Sequence, residues 1–500
     1  MDDGATKTYR PWQPERYVQE AHRPAAKLPE GDLVFFLLDT VPQLELSRFY
    51  AYYEDETRGA PPFDPAEMVC LLLYSYSVGV FSSRKIAWAS ERNLAFLAIV
   101  GQDRPDFRTI SDFRKIHLEA FQDVFVEVLR LAAEAGMVKL GNVSIDGTKI
   151  QGNASRHKAM SYGYMKKEEQ RLRAEIEALM KQAQCQDASE DAALGSRRGD
   201  ELPAEMQRRQ DRLAVIQAAK QRLEEQARAE ADVERQRRAE AEAERQRTGQ
   251  KRRGKEPGPI HETPADKAQT NFTDPELKMM KANNKGWDYC GNAQASVDGA
   301  FQIIVACDVS DAANDKQQAV PLAKATLENL AQAEIPLPQD ADGNEKKIPA
   351  TLDSGYYSES AAKDVEALGF DPYMATGRQK HHAAEAPTTT VEQPAATAAT
   401  VAPPTPAALP LATTATAAAT PAEPSAKEKM AAKLRTPEGR ALYARRKVIV
   451  EPVFGQIKGV RGFRRFLLRG LAKVRGEWRL VCLTHNLLKL WRYRCAPSGI

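Results

Sequence analysis

Paired cysteines are missing from this 500-residue chain. Its six cysteines (Cys70, Cys185, Cys290, Cys307, Cys482, Cys495) are scattered, which fits neither a disulfide framework nor a zinc site and suits reduced cytosol. Long apolar runs are missing as well. The most apolar stretch, Met68 to Phe81, is interrupted by Ser75, Ser77 and Gly79 and is too short to span a bilayer. At the start, Met1-Asp2-Asp3-Gly4 places acids where a secretory leader needs a basic region and an apolar core. The seven histidines form no ligand spacing, and the adjacent pair His381 and His382 borders a low-complexity stretch. The expectation is a soluble intracellular protein without a membrane partner. Net charge is only +3, but it is unevenly spread. From Ala431 to Ile500 there are 17 Lys or Arg against three acids, a local charge of +14, whereas the first 430 residues carry −11. A basic end on an acidic body suggests a polyanion as its partner.

The length predicts two to four structural units. Residues 60–136 read as a helical bundle. Asp64-Pro65-Ala66-Glu67 has the form of a capping box with proline at the first helical position. Ser82 and the Thr109–Asp112 stretch offer further helix starts, and Phe121 to Ala132 carries apolar residues at helical spacing up to Gly136. Val143 to Gly147 reads as a short strand ending in a turn. Lys166 to Arg253 has two apolar stripes (Leu172, Ile176, Leu179 and Leu213, Ile216, Leu223), which predicts an antiparallel helical hairpin. Beyond Leu223 only Val233 offers a large core residue before Ile260, so that tail reads as solvated helix or disorder. Two strand-like runs, Tyr289–Val297 and Phe301–Val309, join through Asp298-Gly299, a hairpin signal. Then come a helix (316–330), a strand (348–353), a helix closed by Gly369 and a strand (370–375), the pattern of a mixed α/β domain. Pro387 to Ala426 has 32 Ala, Thr or Pro in 40 residues and reads as a disordered linker. The basic end follows, closing in an amphipathic helix from Trp478 to Trp491.

Three acids stand out. Asp146 and Asp353 end strands, and Glu451 lies among basic residues of a helical segment. Converging carboxylates bind Mg²⁺, a hard cation that prefers oxygen, and paired metals catalyse phosphoryl transfer. The same acids also suit ordinary turns and a local ion pair. Pro452 fits a first helical turn and predicts Glu451 at a helix start. Lys458, seven residues on, falls on the same face about 10 Å along the axis, where it either meets a DNA phosphate or faces solvent. Arg461, Arg464, Arg465, Arg469, Lys473 and Arg475, interleaved with Phe463, Phe466 and Trp478, suit phosphate contacts with stacking, or a solvated helix face over core aromatics. Arg108, Thr109, Ser111, Arg114 and Lys115 cluster at a helix start, either as a recognition surface or as a helix cap with surface charges. Trp287 either packs or stacks on an unpaired base.

Asp146-Gly147-Thr148-Lys149, Asp353-Ser354-Gly355-Tyr356-Tyr357-Ser358 and the run from Val450 to Lys458 (VEPVFGQIK) together resemble bacterial insertion-sequence transposases with a DDE triad. The nearest likeness is to the group numbered eleven eighty-two, in the insertion-sequence four/five-like superfamily. Pro62 to Glu67, Ser83 to Ile86 and Ala265 to Asn271 extend the resemblance over most of the chain. It implies an RNase H-like mixed-sheet catalytic core with Asp146, Asp353 and Glu451 as the Mg²⁺-binding catalytic triad, Mn²⁺ being able to substitute. Tyr443, Arg446, Glu451 and Lys458 depart by one residue from the wider pattern, which leaves Arg446 and Lys447 as alternative supports of the site. Both join Lys458 and the later basic residues as DNA-binding candidates.

The expected architecture is therefore α/β. Residues 1–140 form an N-terminal helical domain for end binding or dimerisation, and 141–165 with 256–380 form the RNase H-like core. A helical insertion occupies 166–255, a linker 381–430, and the basic helical part of the core 431–500. The expected activity is cleavage at inverted-repeat ends and transfer of the 3′-OH ends to target DNA, by a homodimer or higher oligomer in the bacterial cytoplasm at the nucleoid. The alternatives are an inactive or nuclease-only RNase H-like DNA-binding protein and, from another class, a helical scaffold.

Overall fold

A computed structural model describes residues 9–13, 25–54, 60–194, 204–249, 256–282, 286–377 and 425–495. Seven helices come first: α1 (Leu33–Thr40), α2 (Ser47–Ala51), α3 (Pro65–Ser77), α4 (Ser83–Arg92), α5 (Leu94–Val100), α6 (Phe107–Ile116) and α7 (Ala120–Glu134). At the start of α3 the Asp64 side chain accepts from Ala66 N–H. The expected capping box is only half realised, because Glu67 is buried with both carboxyl oxygens lacking a hydrogen-bond partner. The next-but-two start also shifts: α6 begins at Phe107, where Asp106 accepts from the N–H groups of Arg108 and Thr109. Gly136, at φ +72°, ends α7 in the left-handed region that glycine favours.

The chain then builds a six-stranded mixed sheet. Its strands are β1 (Val143–Gln151), β4 (Lys278–Lys281), β5 (Trp287–Asp298), β6 (Ile304–Ser310), β7 (Ile348–Leu352) and β8 (Phe370–Met374), with a separate pair formed by β2 (Ala159–Ser161) and β3 (Gln269–Asn271). The order is β4-β5-β1-β7-β8, with β6 also pairing on β5. β1 runs antiparallel to β5 and parallel to β7, and β7 runs parallel to β8. The strand expected to stop at Asp146-Gly147 continues to Gln151. Gly147 lies directly opposite Gln294, whose side chain fills the space a Cβ would need, so this glycine serves sheet packing and not a turn. The β5–β6 hairpin turns where expected, with buried Asp298 accepting from Ala300 N–H and Leu140 N–H.

Between β2 and β3 rise α8 (Tyr162–Leu194) and α9 (Ala204–Thr248). Leu172, Ile216 and Leu223 close their shared core together with Tyr162 and Met165. Val233 is exposed, in keeping with a solvated helix beyond Leu223, and Ala231 is the buried residue there. The far part of α9 nonetheless has neighbours, since Arg238 donates to Gly258 O (2.8 Å) and Arg235 pairs with Glu262 (2.8 Å). α10 (Ala319–Gln332) and α11 (Glu359–Ala367) cover one side of the sheet. The linker expected over 381–430 lies outside the described residues as far as 424. Its last part does not belong to a linker, because α12 (Ala426–Arg435) opens there on a capping box of Ser425 and Glu428. α13 (Pro437–Gly455) and α14 (Leu471–Cys495) complete the chain.

The two ends of the chain share one core. Phe49, Tyr76 and Phe121 pack in the same cluster as Ala293 and Ala295 of β5 and Trp478, Val481 and Leu487 of α14. Fully buried Glu477 ties them further, accepting from Leu467 N–H (2.9 Å), Leu468 N–H (3.1 Å) and Tyr76 O–H (3.3 Å), while Arg114 donates to Tyr76 (2.9 Å). Arg114 is thus an internal residue rather than part of an exposed recognition cluster. α14 is buried round most of its surface, not amphipathic as its sequence suggests.

Candidate active site

The pairing of β1 with β7 decides where the first two acids sit. Ile145 faces Leu352 in the parallel register, so the next residues, Asp146 and Asp353, emerge side by side. Asp146 is not at the end of its strand but in its middle, whereas Asp353 follows the last residue of β7. Arg446, a buried residue of α13, donates to Asp146 (2.8 Å) and reaches Asp353 at 3.7 Å. One guanidinium therefore bridges both carboxylates. Burial raises the Asp146 carboxyl to about 6, with Asp353 and Asp315 adding like charge, while Arg446 and the Gly147 N–H oppose the rise. Burial also works against the charge on Arg446, but the two aspartates outweigh it and raise its pKa. Of the two alternative supports, Arg446 is the one at the acids; Lys447 is exposed.

Glu451 lies late in α13 rather than at a helix start. Pro452 inside the helix removes the N–H that would bond Val448 O, and Gln302 supplies a substitute by donating its side-chain amide to that carbonyl (2.9 Å). Glu451 is exposed, and among the described residues no set of three His, Cys, Asp or Glu side chains is placed to hold a metal. The structure thus brings Asp146 and Asp353 together under Arg446. Asp146 and Asp353 offer only oxygen donors, the kind a hard cation takes, and already hold a positive group between them.

Lys458 is half-buried and turned onto β1. It sits in a π-helical turn (Gln456–Val460) and donates to Thr148 Oγ1 (2.7 Å) and Lys149 O (3.1 Å) on β1. Most of the basic residues after it are likewise engaged within the chain. Arg461, 6% exposed, donates to Thr484 Oγ1 (2.8 Å) and Val481 O (3.1 Å), which removes it from the DNA-binding candidates. Arg464 donates to Lys458 O, Arg465 to Gly152 O, Arg469 to Asn153 O and Arg475 to Val309 O, each through Nε, although these four keep exposed surface. Lys473 is exposed. Phe463, Phe466 and Trp478 are fully buried core residues and not stacking platforms. Trp287, in contrast, is exposed at the start of β5.

Asp315 was not singled out by sequence. It accepts from Asn292 (2.6 Å) and Gln294 (2.9 Å), and lies 3.7 Å from Lys149. It stands in a loop without a motif, so only the fold brings it near Asp146. Tyr356, inside the Asp353 motif, is buried and donates to Gln294 Oε1.

Two family models match the chain. Residues 412–491, which include Arg446, Glu451 and Lys458, match one described as Transposase DDE domain. Residues 22–116 match one described as Transposase domain (DUF772). Together they support a transposase of the DDE type. No curated protein and no solved structure matches the chain.

Proposed function

We propose that the protein is an insertion-sequence DNA transposase that cleaves at the inverted-repeat ends of its element and transfers the 3′-OH ends to target DNA. One observation carries this reading: the β1–β7 register sets Asp146 beside Asp353, bridged by a cation from the helix that also bears Glu451. The fold read here is RNase H-like, and the group is the one numbered eleven eighty-two. Asp146 and Asp353, with Glu451, would hold Mg²⁺ or Mn²⁺. When bound, such ions supply activation of the attacking oxygen and charge stabilisation at the leaving oxygen. The chain's own residues do the rest. Arg446 pairs with both carboxylates and offsets their mutual repulsion, and Lys458 pins β1 through Thr148 just beyond Asp146. The protein would act on double-stranded ends and target as a homodimer or larger assembly, at the nucleoid; among the described residues no helix is long and apolar enough to cross a membrane.

A nuclease-only or inactive DNA-binding relative is the second reading. Incubating the full chain with Mg²⁺, a labelled duplex bearing the element's own end and a target plasmid separates the two. Cleaved and joined products are expected. Cleavage without joining, or intact DNA, would favour the second reading.

A further inference from the structure

Exposed positive charge is not confined to the C-terminal segment, where Arg464, Arg465, Arg469, Lys473 and Arg475 keep exposed surface. On α4 the residues Arg84, Lys85, Trp88 and Arg92 are exposed, whereas Ile86, Ala89 and Ser90 are buried. At 100° per residue the four exposed positions fall within an arc of about 100°. Trp88 is 58% exposed although the apolar side of its helix is already covered. The Arg92 guanidinium lies 5.1 Å from the Trp88 ring centre. Phe107, at the start of α6, gathers Arg84 (4.8 Å) and Arg108 (5.5 Å) over its ring. Nearby acids are partly committed: Asp106 caps α6 and Asp112 pairs with Lys115 at 3.0 Å, leaving Glu91 as the acid of α4 itself.

This face is tied to the acid pair through packed elements. Just before α4, the Phe81 ring meets Phe463 edge-on at 5.0 Å. Gly79, at φ +83°, presses against the Arg461 carbonyl, where a Cβ would come within 2.6 Å of the oxygen. Arg461 follows the turn holding Lys458, and Lys458 bonds Thr148, two residues from Asp146.

We propose that the outer face of α4, together with the start of α6, is a contact surface for duplex DNA flanking the position served by Asp146 and Asp353. This rests on the transposase reading. Arg84, Lys85, Arg92 and Arg108 meet backbone phosphates, and Trp88 lies against the sugars between them. The charge is complementary to a phosphate backbone, and arginines held over aromatic rings have fewer conformations to lose on binding. Contacts of this type position the duplex without reading its sequence.

The test uses the full chain and two labelled duplexes, one with the element's end and one of random sequence, with affinity measured against salt. Changing Arg84→Gln and Lys85→Gln together is expected to flatten the plot of log affinity against log salt by about 2 units. The loss should be equal on both duplexes, at an unchanged melting temperature. DNA is expected to quench the tryptophan fluorescence of the wild type, and Trp88→Ala is expected to weaken both duplexes several-fold and to lose much of that quenching. Wild-type slope and affinity in both variants would take this face off the DNA path and leave the transposase reading standing. The same holds if the variants instead dissociate a dimer without altering DNA binding. A wild-type chain that binds neither duplex at low salt would remove the transposase reading itself, and this surface with it.

Discussion

Arg461 and Arg84 carry the same group, and the loop before α4 touches the neighbourhood of both, yet their surroundings are opposite. Arg461 is enclosed by α14 and spends its N–H groups on Thr484 and Val481. Arg84 stands in solvent with one aromatic ring beneath it. By sequence the 458–475 segment has the denser charge and reads as the polyanion site, while α4 reads as a plain helix. The difference lies in what the C-terminal segment is for: it stitches the sheet, the N-terminal helices and α14 into one core. Within that segment Arg461 is enclosed and Lys458 half-buried while Arg464, Arg465, Arg469, Lys473 and Arg475 stay exposed, so charge density along a sequence does not by itself tell which basic residue is internal.

Several changes would break or sharpen this contrast. The largest effect is expected at Glu477, the buried acid facing Arg114 and two backbone N–H groups. Glu477→Ala should lower stability by about 3–5 kcal/mol in urea unfolding, because it strands a buried charge. A loss below about 1 kcal/mol would mean that the two ends of the chain are not held by this network. Next comes Arg461→Ala, which should cost about 1–3 kcal/mol, since Thr484 and Val481 lose a charged donor inside the core, and should leave the salt dependence of DNA binding unchanged. If it flattens that dependence instead, Arg461 reaches phosphate and the contrast fails.

A pH effect of intermediate size is expected at His117. Burial holds its pKa at about 4, among Phe49, Phe113 and Tyr53. The folded state therefore takes up this proton later than the unfolded chain does. Its contribution to stability is fully present above about pH 6.5 and is lost as pH falls toward 4. Melting temperatures across that window should fall in the wild type and fall less in His117→Gln; identical profiles would place the titration elsewhere. The smallest effect belongs to Arg464→Ala, within about 0.5 kcal/mol, as its side chain is exposed with one backbone contact.

Much of the sheet was legible in the sequence because its signals are local. Gly369 at φ +95° closes α11, Ser358 caps it, and Asp298-Gly299 turns the β5–β6 hairpin. The acids Asp146 and Asp353 were legible through their motifs. What could not be read depends on contacts far along the chain. Gly147 looks like a turn until Gln294 is placed opposite it. Pro452 looks like a helix start because proline suits a first turn, yet inside α13 the Val448 carbonyl it leaves without a donor is served by Gln302, 146 residues from Val448. Two ends described as separate units share a core through Tyr76, Arg114 and Glu477, and Asp315 approaches the site from a loop without any recurring pattern. The hairpin stripes are legible at Leu172, Ile216 and Leu223 because helical spacing needs no distant information.

The most direct test is to separate binding from cutting at the acid pair. Asp146→Asn and Asp353→Asn, each in the full chain, should bind an end-bearing duplex with near wild-type affinity and yield no cleaved or joined product in Mg²⁺ or Mn²⁺. Metal-dependent cleavage retained by Asp353→Asn would contradict the account at its centre.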